Sequence, residues 1–279
     1  MVNYCKKEVA AYIEQLVSEE KSRSTREQYE RNIRRFLNFA EGKELTKELV
    51  VTYKAVLQNR YRPSTVNVIL AALNGFFGYL DRGDLKVKQL KIQRAVYCSE
   101  RKELSRGEYL RLVQTADRQG DDRIAAILQT ICSTGIRVSE LKYITAEAIR
   151  QGEAVIRLKG KVRVILIPGK LRKLLRTYMK RHRICNGSVF VSRKGNPLDR
   201  SNIWKMMKSL CKNAGVMSEK VYPHNLRHLF ARAFYKKEKD IAKLADILGH
   251  SSIEVTRIYA SDGIMEWKKS MEMLEMLVE

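Results

Sequence analysis

The amino-acid sequence predicts a mainly α protein of two domains, the first all-helical and the second α+β, mainly helical with one small antiparallel sheet. Three observations carry this expectation. Apolar residues recur at helical spacing through the first hundred positions. A polar, mixed segment then interrupts the pattern before capping signals restart it. Only Glu153 to Pro168 alternates with the period of a strand. The division that follows is a helical domain over residues 1–84, a linker over 85–102, a second domain over 103–263 and a C-terminal helix over 264–279.

In the first domain, Val9, Tyr12, Ile13 and Leu16 mark one helix. Ser24 and Thr25 offer caps for a second, which carries Tyr29, Ile33, Phe36 and Leu37. Gly42 closes it, Thr46 opens a third, and Pro63-Ser64-Thr65 open a fourth running to about Leu80. Asp81 to Asp84 reads as a stop. Ser105 with Glu108 three residues on has the form of a capping box opening the second domain. A helix from about Asp122 to Ser133 ends at Gly135. Ala154/Ile156/Leu158 and Val162/Val164/Leu166 alternate around Lys159-Gly160-Lys161, which reads as a β-hairpin. Helices then run to the end. In the last of them Ile264, Trp267, Met271, Leu274 and Val278 form an apolar stripe that must pack against something.

The chain of 279 residues has 44% apolar and 30% charged residues, a balance that excludes a disordered tail. The net charge is +23. Residues 1–100 carry 18 Lys+Arg against 12 Asp+Glu, and the remainder 36 against 19, so the second part is the more basic. Such an excess costs self-repulsion, and its common reason is an anionic partner, chiefly nucleic acid. Generic solubility and an anionic membrane surface are the alternatives. The five cysteines are scattered without a CxxC pair, so neither a zinc site nor a disulfide framework is suggested. No signal peptide or membrane span is evident, and the cytoplasm is the expected compartment.

Four stretches could carry chemistry. In Ser133 to Leu141, Arg137 stands at the mouth of a helix with Glu140 one turn away; a corner with a surface ion pair would look the same. At the hairpin tip, Lys159 is flanked by Arg157, Lys161 and Arg163, which is also the composition of a solvated basic turn. In Pro223 to His228, proline favours the first helical turn and places His224, Arg227 and His228 near its positive end, where an oxyanion is favoured. His224 and His228 have zinc-like spacing, but Asn225 stands where a zinc-protease helix needs glutamate. In the fourth, Gly249 stops a helix at His250, and Ser251 with Glu254 can box a short helix presenting Tyr259. Taken alone, a tyrosine there is an ordinary core or surface residue.

Together these residues form a coherent kit for moving a DNA phosphate onto tyrosine. That reaction needs bidentate arginines on the non-bridging oxygens. It needs a proton for the departing 5′ oxygen and a base for a phenol whose free pKa is about 10. The phosphotyrosine keeps the phosphodiester energy, so resealing needs no nucleotide cofactor.

TGIRVSEL, LKGK, HNLRH and LGH, with Tyr259 nine positions beyond His250, resemble the tyrosine recombinase (phage integrase) family in order and spacing. The first hundred residues are similar to that family's core-binding domain in STREQYERNIRRF and RPSTVNVILAALNGFFGYL. In length the chain is nearest the compact, Xer-like members. The resemblance implies that Arg137 and Arg227 clamp the scissile phosphate and Lys159 protonates the 5′ leaving oxygen, with Lys161 as the rival for that part. It implies that His224 exchanges a proton with Tyr259, His250 bonds the phosphate and Glu140 orients the site; His228 lies in the motif with no settled role. The expected function is site-specific DNA cleavage and rejoining through a 3′-phosphotyrosyl intermediate, without metal or other cofactor, for integration, excision or resolution. Type IB topoisomerase-like relaxation and a catalytically inactive DNA-binding protein are the alternatives. The core-binding half argues against the first, and the intact kit against the second. The expected partners are double-stranded DNA with specific recombination sites and further copies of the chain, in a tetramer on synapsed DNA. The C-terminal helix would pass to a neighbouring protomer or dock on its own domain.

Overall fold

The computed structural model describes residues 6–92, 103–158, 161–250 and 252–259. Contacts divide the chain into two compact units, residues 1–94 and 95–279.

In the first unit, four helices, α1 (Lys6–Ser18), α2 (Arg23–Ala40), α3 (Lys47–Arg60) and α4 (Pro63–Tyr79), form an all-helical bundle. The most apolar of them, α4, is the centre. Its Val66, Ile69, Leu70, Leu73, Phe76 and Phe77 are buried with Ile33, Phe36, Val50 and Leu57 from α2 and α3. Phe36 and Phe77 meet edge-on at 5.6 Å. Burying each such side chain contributes about 1.5–3 kcal/mol. The cap of α2 is Ser22, whose side chain accepts from the Thr25 amide; Ser24 and Thr25 are inside the helix. Thr46 caps α3 as its spacing predicts. Residues 85–90, at the start of the segment read as a linker, pack on this bundle: Leu85 and Val87 are buried. Two asparagines of α4 hold that strand of chain by two bonds each. Asn74 pairs with the Val87 amide and carbonyl, and Asn67 with those of Leu90.

In the second unit, α5 (Arg106–Arg118) opens with the Ser105–Glu108 capping box. The next helix, α6 (Asp122–Thr134), buries eight of its side chains and packs on neighbours on several sides. It ends at Gly135 with φ +63°, where a Cβ would also strike the Phe230 ring at 2.5 Å. A 3-10 turn over Val138–Tyr143 follows in place of a full helix, then α7 (Ala146–Gln151). Next come strands β1 (Glu153–Leu158) and β2 (Lys161–Leu166), and helices α8 (Gly169–Arg181), α9 (Arg200–Ala214), α10 (Pro223–Glu238) and α11 (Ile241–Leu248). Two 3-10 turns, Ile253–Val255 and Arg257–Tyr259, end the described chain. The first is capped by Ser252, accepting from the Glu254 amide; Ser251 lies outside the described residues.

The two strands pair antiparallel, from Glu153↔Leu166 to Leu158↔Lys161. The inward face of β2 differs from the alternation read in the sequence. Ala154 and Ile156 are buried, and their partners are Ile165 and Arg163. Directly paired residues project to the same side, so Arg163, Ile165 and Ile167 face in while Val162, Val164 and Leu166 are exposed. The expected C-terminal helix, residues 264–279, lies outside the described residues, as do Lys159 and Gly160. No helix among the described residues is long and apolar enough to cross a membrane.

Candidate active site

Arg227 stands at the centre of the polar cluster. It projects from the first turns of α10 and is only 2% exposed. Its NH1 donates to the Gly135 carbonyl at 2.6 Å, and its NH2 to the Leu248 carbonyl at 2.7 Å. Those two acceptors are the carboxyl ends of α6 and α11, each carrying roughly half a negative charge. Among the described residues this buried guanidinium is thus bonded to helix-end carbonyls and to no carboxylate, and so remains electrostatically open to an anion. Burial, with Arg137 and Arg163 nearby, lowers its pKa to about 10, so it stays charged at neutral pH.

NH2 of Arg227 also lies 3.0 Å from His250 Nε2. Arginine can only donate, so Nε2 accepts and the ring hydrogen is on Nδ1, which donates to Thr256 Oγ1 at 2.8 Å. Thr256 is fully buried and fixes this tautomer. Burial and then Arg227, Arg137 and Arg163 push the His250 pKa down to about 4. The imidazole is therefore neutral at pH 7.

Arg137 follows the α6 terminus. Its backbone amide and NH1 donate to the two oxygens of Glu140 at 2.9 and 3.0 Å, and its NH2 donates to the Gly249 carbonyl at 3.1 Å. Its side chain is 41% exposed while that of Glu140 is 3%, so the outer edge of the guanidinium is presented to solvent. Glu140 is also bound by Arg163 from β2, which in turn donates to the Ile247 and Leu248 carbonyls. Sequence reasoning left Arg163 as one of the basic residues flanking the hairpin tip. The sequence carried no signal for its role, because only the pairing with Ile156 turns it inward.

His224 and His228 are one turn apart on α10, with ring centroids 4.3 Å apart. The ring next to Tyr259 is that of His228, edge-on at 5.0 Å. Partial desolvation, then Arg227 and Arg137, lowers the His224 pKa; burial, then His224, Arg227 and His250, lowers that of His228 to about 4. Both are neutral at pH 7. Tyr259 is 6% exposed and stacks 6.4 Å from the His250 ring, within a small apolar cluster of Ala231, Leu244 and Leu248. Of the sequence-predicted residues, Arg137, Glu140, His224, Arg227, His228, His250 and Tyr259 are linked through these contacts. Lys159 lies outside the described residues.

Residues 102–263 match the phage integrase family, and residues 6–86 match a phage integrase N-terminal SAM-like domain. The chain belongs to the phage integrase family. Among tyrosine recombinases, XerA of Thermococcus kodakarensis is 28% identical over 270 residues, covering 93% of this chain and 92% of its own. XerC of Thermodesulfovibrio yellowstonii is 27% identical over 252 residues, covering 83% of each. The structure of a lambda integrase dimer bound to a COC′ core site shares the fold, with TM-score 0.72 at 18% identity, covering 94% of this chain and 97% of that one. The chain is thus an enzyme of the tyrosine recombinase type, similar to Xer recombinases.

Proposed function

We propose that this integrase-family chain is a site-specific recombinase that cleaves and rejoins double-stranded DNA through a 3′-phosphotyrosyl link at Tyr259, serving integration, excision or resolution. The observation that carries the reading is Arg227, a buried guanidinium that bonds no carboxylate among the described residues, joined to a neutral His250 and backed by the half-exposed Arg137. Such donors in a buried setting suit the charge that develops on a phosphate in transfer. The Tyr259 Oη attacks the phosphorus as the bond to the 5′ oxygen breaks, and the phenol proton passes to the neutral His224–His228 pair. Arg137 and Arg227 stabilise the charge on the non-bridging oxygens, and His250, which accepts from Arg227, orients that guanidinium toward them. Lys159 gives a proton to the 5′ oxygen. The reverse attack by a 5′ hydroxyl from a second site reseals the strand. In this scheme residues 1–84 bind DNA, residues 103–263 carry the chemistry, and the protein works as a tetramer on two synapsed sites.

The test uses the full chain and a library of nicked duplexes randomised across the core. Nicking lets the short 5′-hydroxyl fragment diffuse away, so a covalent intermediate accumulates. Adducts that survive denaturation, map to Tyr259 and share a sequence support the reading. Strand transfer between two duplexes of that sequence separates recombination from relaxation. No adduct from any duplex would sink it.

A further inference from the structure

Arg163 connects three parts of the site without belonging to the kit that contacts the phosphate. It points inward from β2 beside Ile165, with its side chain 13% exposed. Its NH2 donates to Glu140 Oε2, and its NH1 donates to the carbonyls of Ile247 (3.3 Å) and Leu248. Two of these acceptors are shared with the arginines of the site. Glu140 also takes the Arg137 amide and NH1, and the Leu248 carbonyl also takes Arg227 NH2. The stem of Arg163 lies along Gly249, the residue before His250. A Cβ at 249 would fall 2.5 Å from Arg163 Cδ and 2.7 Å from its NH1. Gly249 also has φ +60°, so glycine is required there both by the left-handed cap and by the arginine packed against it.

Stability alone is a poor reason for arginine at this place. Its Nε is buried with no partner among the described residues, and an orphaned donor of that kind costs roughly 1–3 kcal/mol. Its charge is also set near Arg137 and Arg227. An aliphatic residue opposite Ile156 would extend the apolar face of the strand without either cost. What arginine supplies and an aliphatic residue lacks is a rigid fork that spans Glu140 and the end of α11 at once.

We infer that Arg163 is a positioning residue: it ties strand β2 to Glu140 and to the carboxyl end of α11, and so sets where Arg137 and His250 stand relative to the scissile phosphate. This rests on the recombinase reading above. It also gives the hairpin that bears Lys159 a fixed link to the arginines, because β2 is continuous with that hairpin.

The experiment compares the wild-type chain with Arg163→Met and Arg163→Lys on a nicked duplex of the sequence recovered in wild-type Tyr259 adducts, well below the melting midpoint of each protein. Duplex affinity and the single-turnover rate of adduct formation are measured, and the His250 ring is titrated by NMR. Arg163→Met keeps the stem but loses the fork. It should bind DNA within about threefold of wild type yet form the adduct on the order of 100-fold more slowly, the effect of misplacing reacting groups by about 1 Å. His250 should titrate at higher pH, since a neighbouring positive charge is gone. Arg163→Lys should keep His250 near its wild-type titration and recover only part of the rate, since one ammonium cannot span both acceptors. A folded Arg163→Met that forms adduct at the wild-type rate overturns the inference, as does a loss of rate that only follows the loss of folded protein. If Arg163→Met does not fold, Arg163→Lys decides: unchanged affinity with a slowed rate supports the inference, and a wild-type rate overturns it. Failure of the wild-type chain itself to form adduct strikes the recombinase reading instead, and the His250 titration then still reports whether Arg163 sets its surroundings.

Discussion

Replacing Glu140 by alanine removes the carboxylate that the arginines of the site share, and the size of the effect follows from its contacts. Glu140 is 3% exposed and its two oxygens accept from the Arg137 amide, Arg137 NH1 and Arg163 NH2. The bond to the amide resembles a helix cap, worth about 0.5–2 kcal/mol. The bond to Arg137 NH1 is with a side chain 41% exposed, where water takes over and the loss is about 0–1 kcal/mol. The bond to Arg163 is different, because its partner is 13% exposed. Removing one member of a buried pair leaves an uncompensated charge and costs about 3–5 kcal/mol. These losses are not independent, since all three donors meet at one carboxylate, so about 4 kcal/mol is a reasonable total.

For a unit the size of residues 95–279, each kcal/mol shifts the melting midpoint by about 2–4 °C, so Glu140→Ala should lower that transition by roughly 8–16 °C. Glu140→Gln keeps one acceptor but turns an amide hydrogen toward the guanidinium groups, and should fall between. Differential scanning calorimetry at 0.05 and about 0.5 M salt checks both the size and the origin, since a buried pair is screened much less than a surface one. A midpoint within about 2 °C of wild type, or a shift that vanishes in high salt, would show that Glu140 is not the buried counter-charge described here.

Tyr259→Phe should bind the recovered DNA site like wild type and form no adduct that survives denaturation; an adduct in that variant would place the nucleophile elsewhere. Arg227→Lys should cleave on the order of 100-fold or more slowly, because an ammonium cannot reach the Gly135 carbonyl, the Leu248 carbonyl and a phosphate together; an unchanged rate would remove Arg227 from the site. Lys159→Ala should be rescued by a duplex with sulfur at the 5′ leaving position, which departs without a proton, and Lys161→Ala should need no rescue; the reverse pattern would move the acid two residues along. His228 and His250 are held near pKa 4 against an ordinary 6.5, so the stability they contribute is full above pH 6.5 and lost as pH falls through about 4. Urea midpoints measured between pH 7 and 4 should drop along this limb, and less so in His250→Asn; an identical slope in that variant would exclude His250 from it.

What the sequence shows and what it hides follow from how far each signal reaches. Helix boundaries such as Thr46, Ser105–Glu108, Gly135 and Gly249 were legible because caps are local: the donor and acceptor lie within four residues. Even there a neighbouring hydroxyl can take the part, as Ser22 does in place of Ser24 or Thr25. The inward face of β2 was not legible, because Val162, Val164, Ile165, Leu166 and Ile167 put apolar side chains on both parities. Only the pairing of Ile156 with Arg163 decides it, and register is a long-range property. The packing of residues 85–90 was hidden in the same way, in two asparagines of an otherwise apolar helix whose partners are backbone groups. At the site, Arg137, Glu140, His224, Arg227, His228, His250 and Tyr259 lie together while Lys159 is outside the described residues, and the groups that hold the arginines are largely carbonyls, at Gly135, Leu248 and Gly249. A carbonyl has no residue identity. Whether an arginine is aimed by helix ends or buried against a carboxylate therefore cannot be read from motifs, and here that choice decides how open the guanidinium is to a phosphate. The two glycines are the visible trace of it. Each is a helix end bent into the left-handed region, and each bend turns a terminal carbonyl toward an arginine from another element.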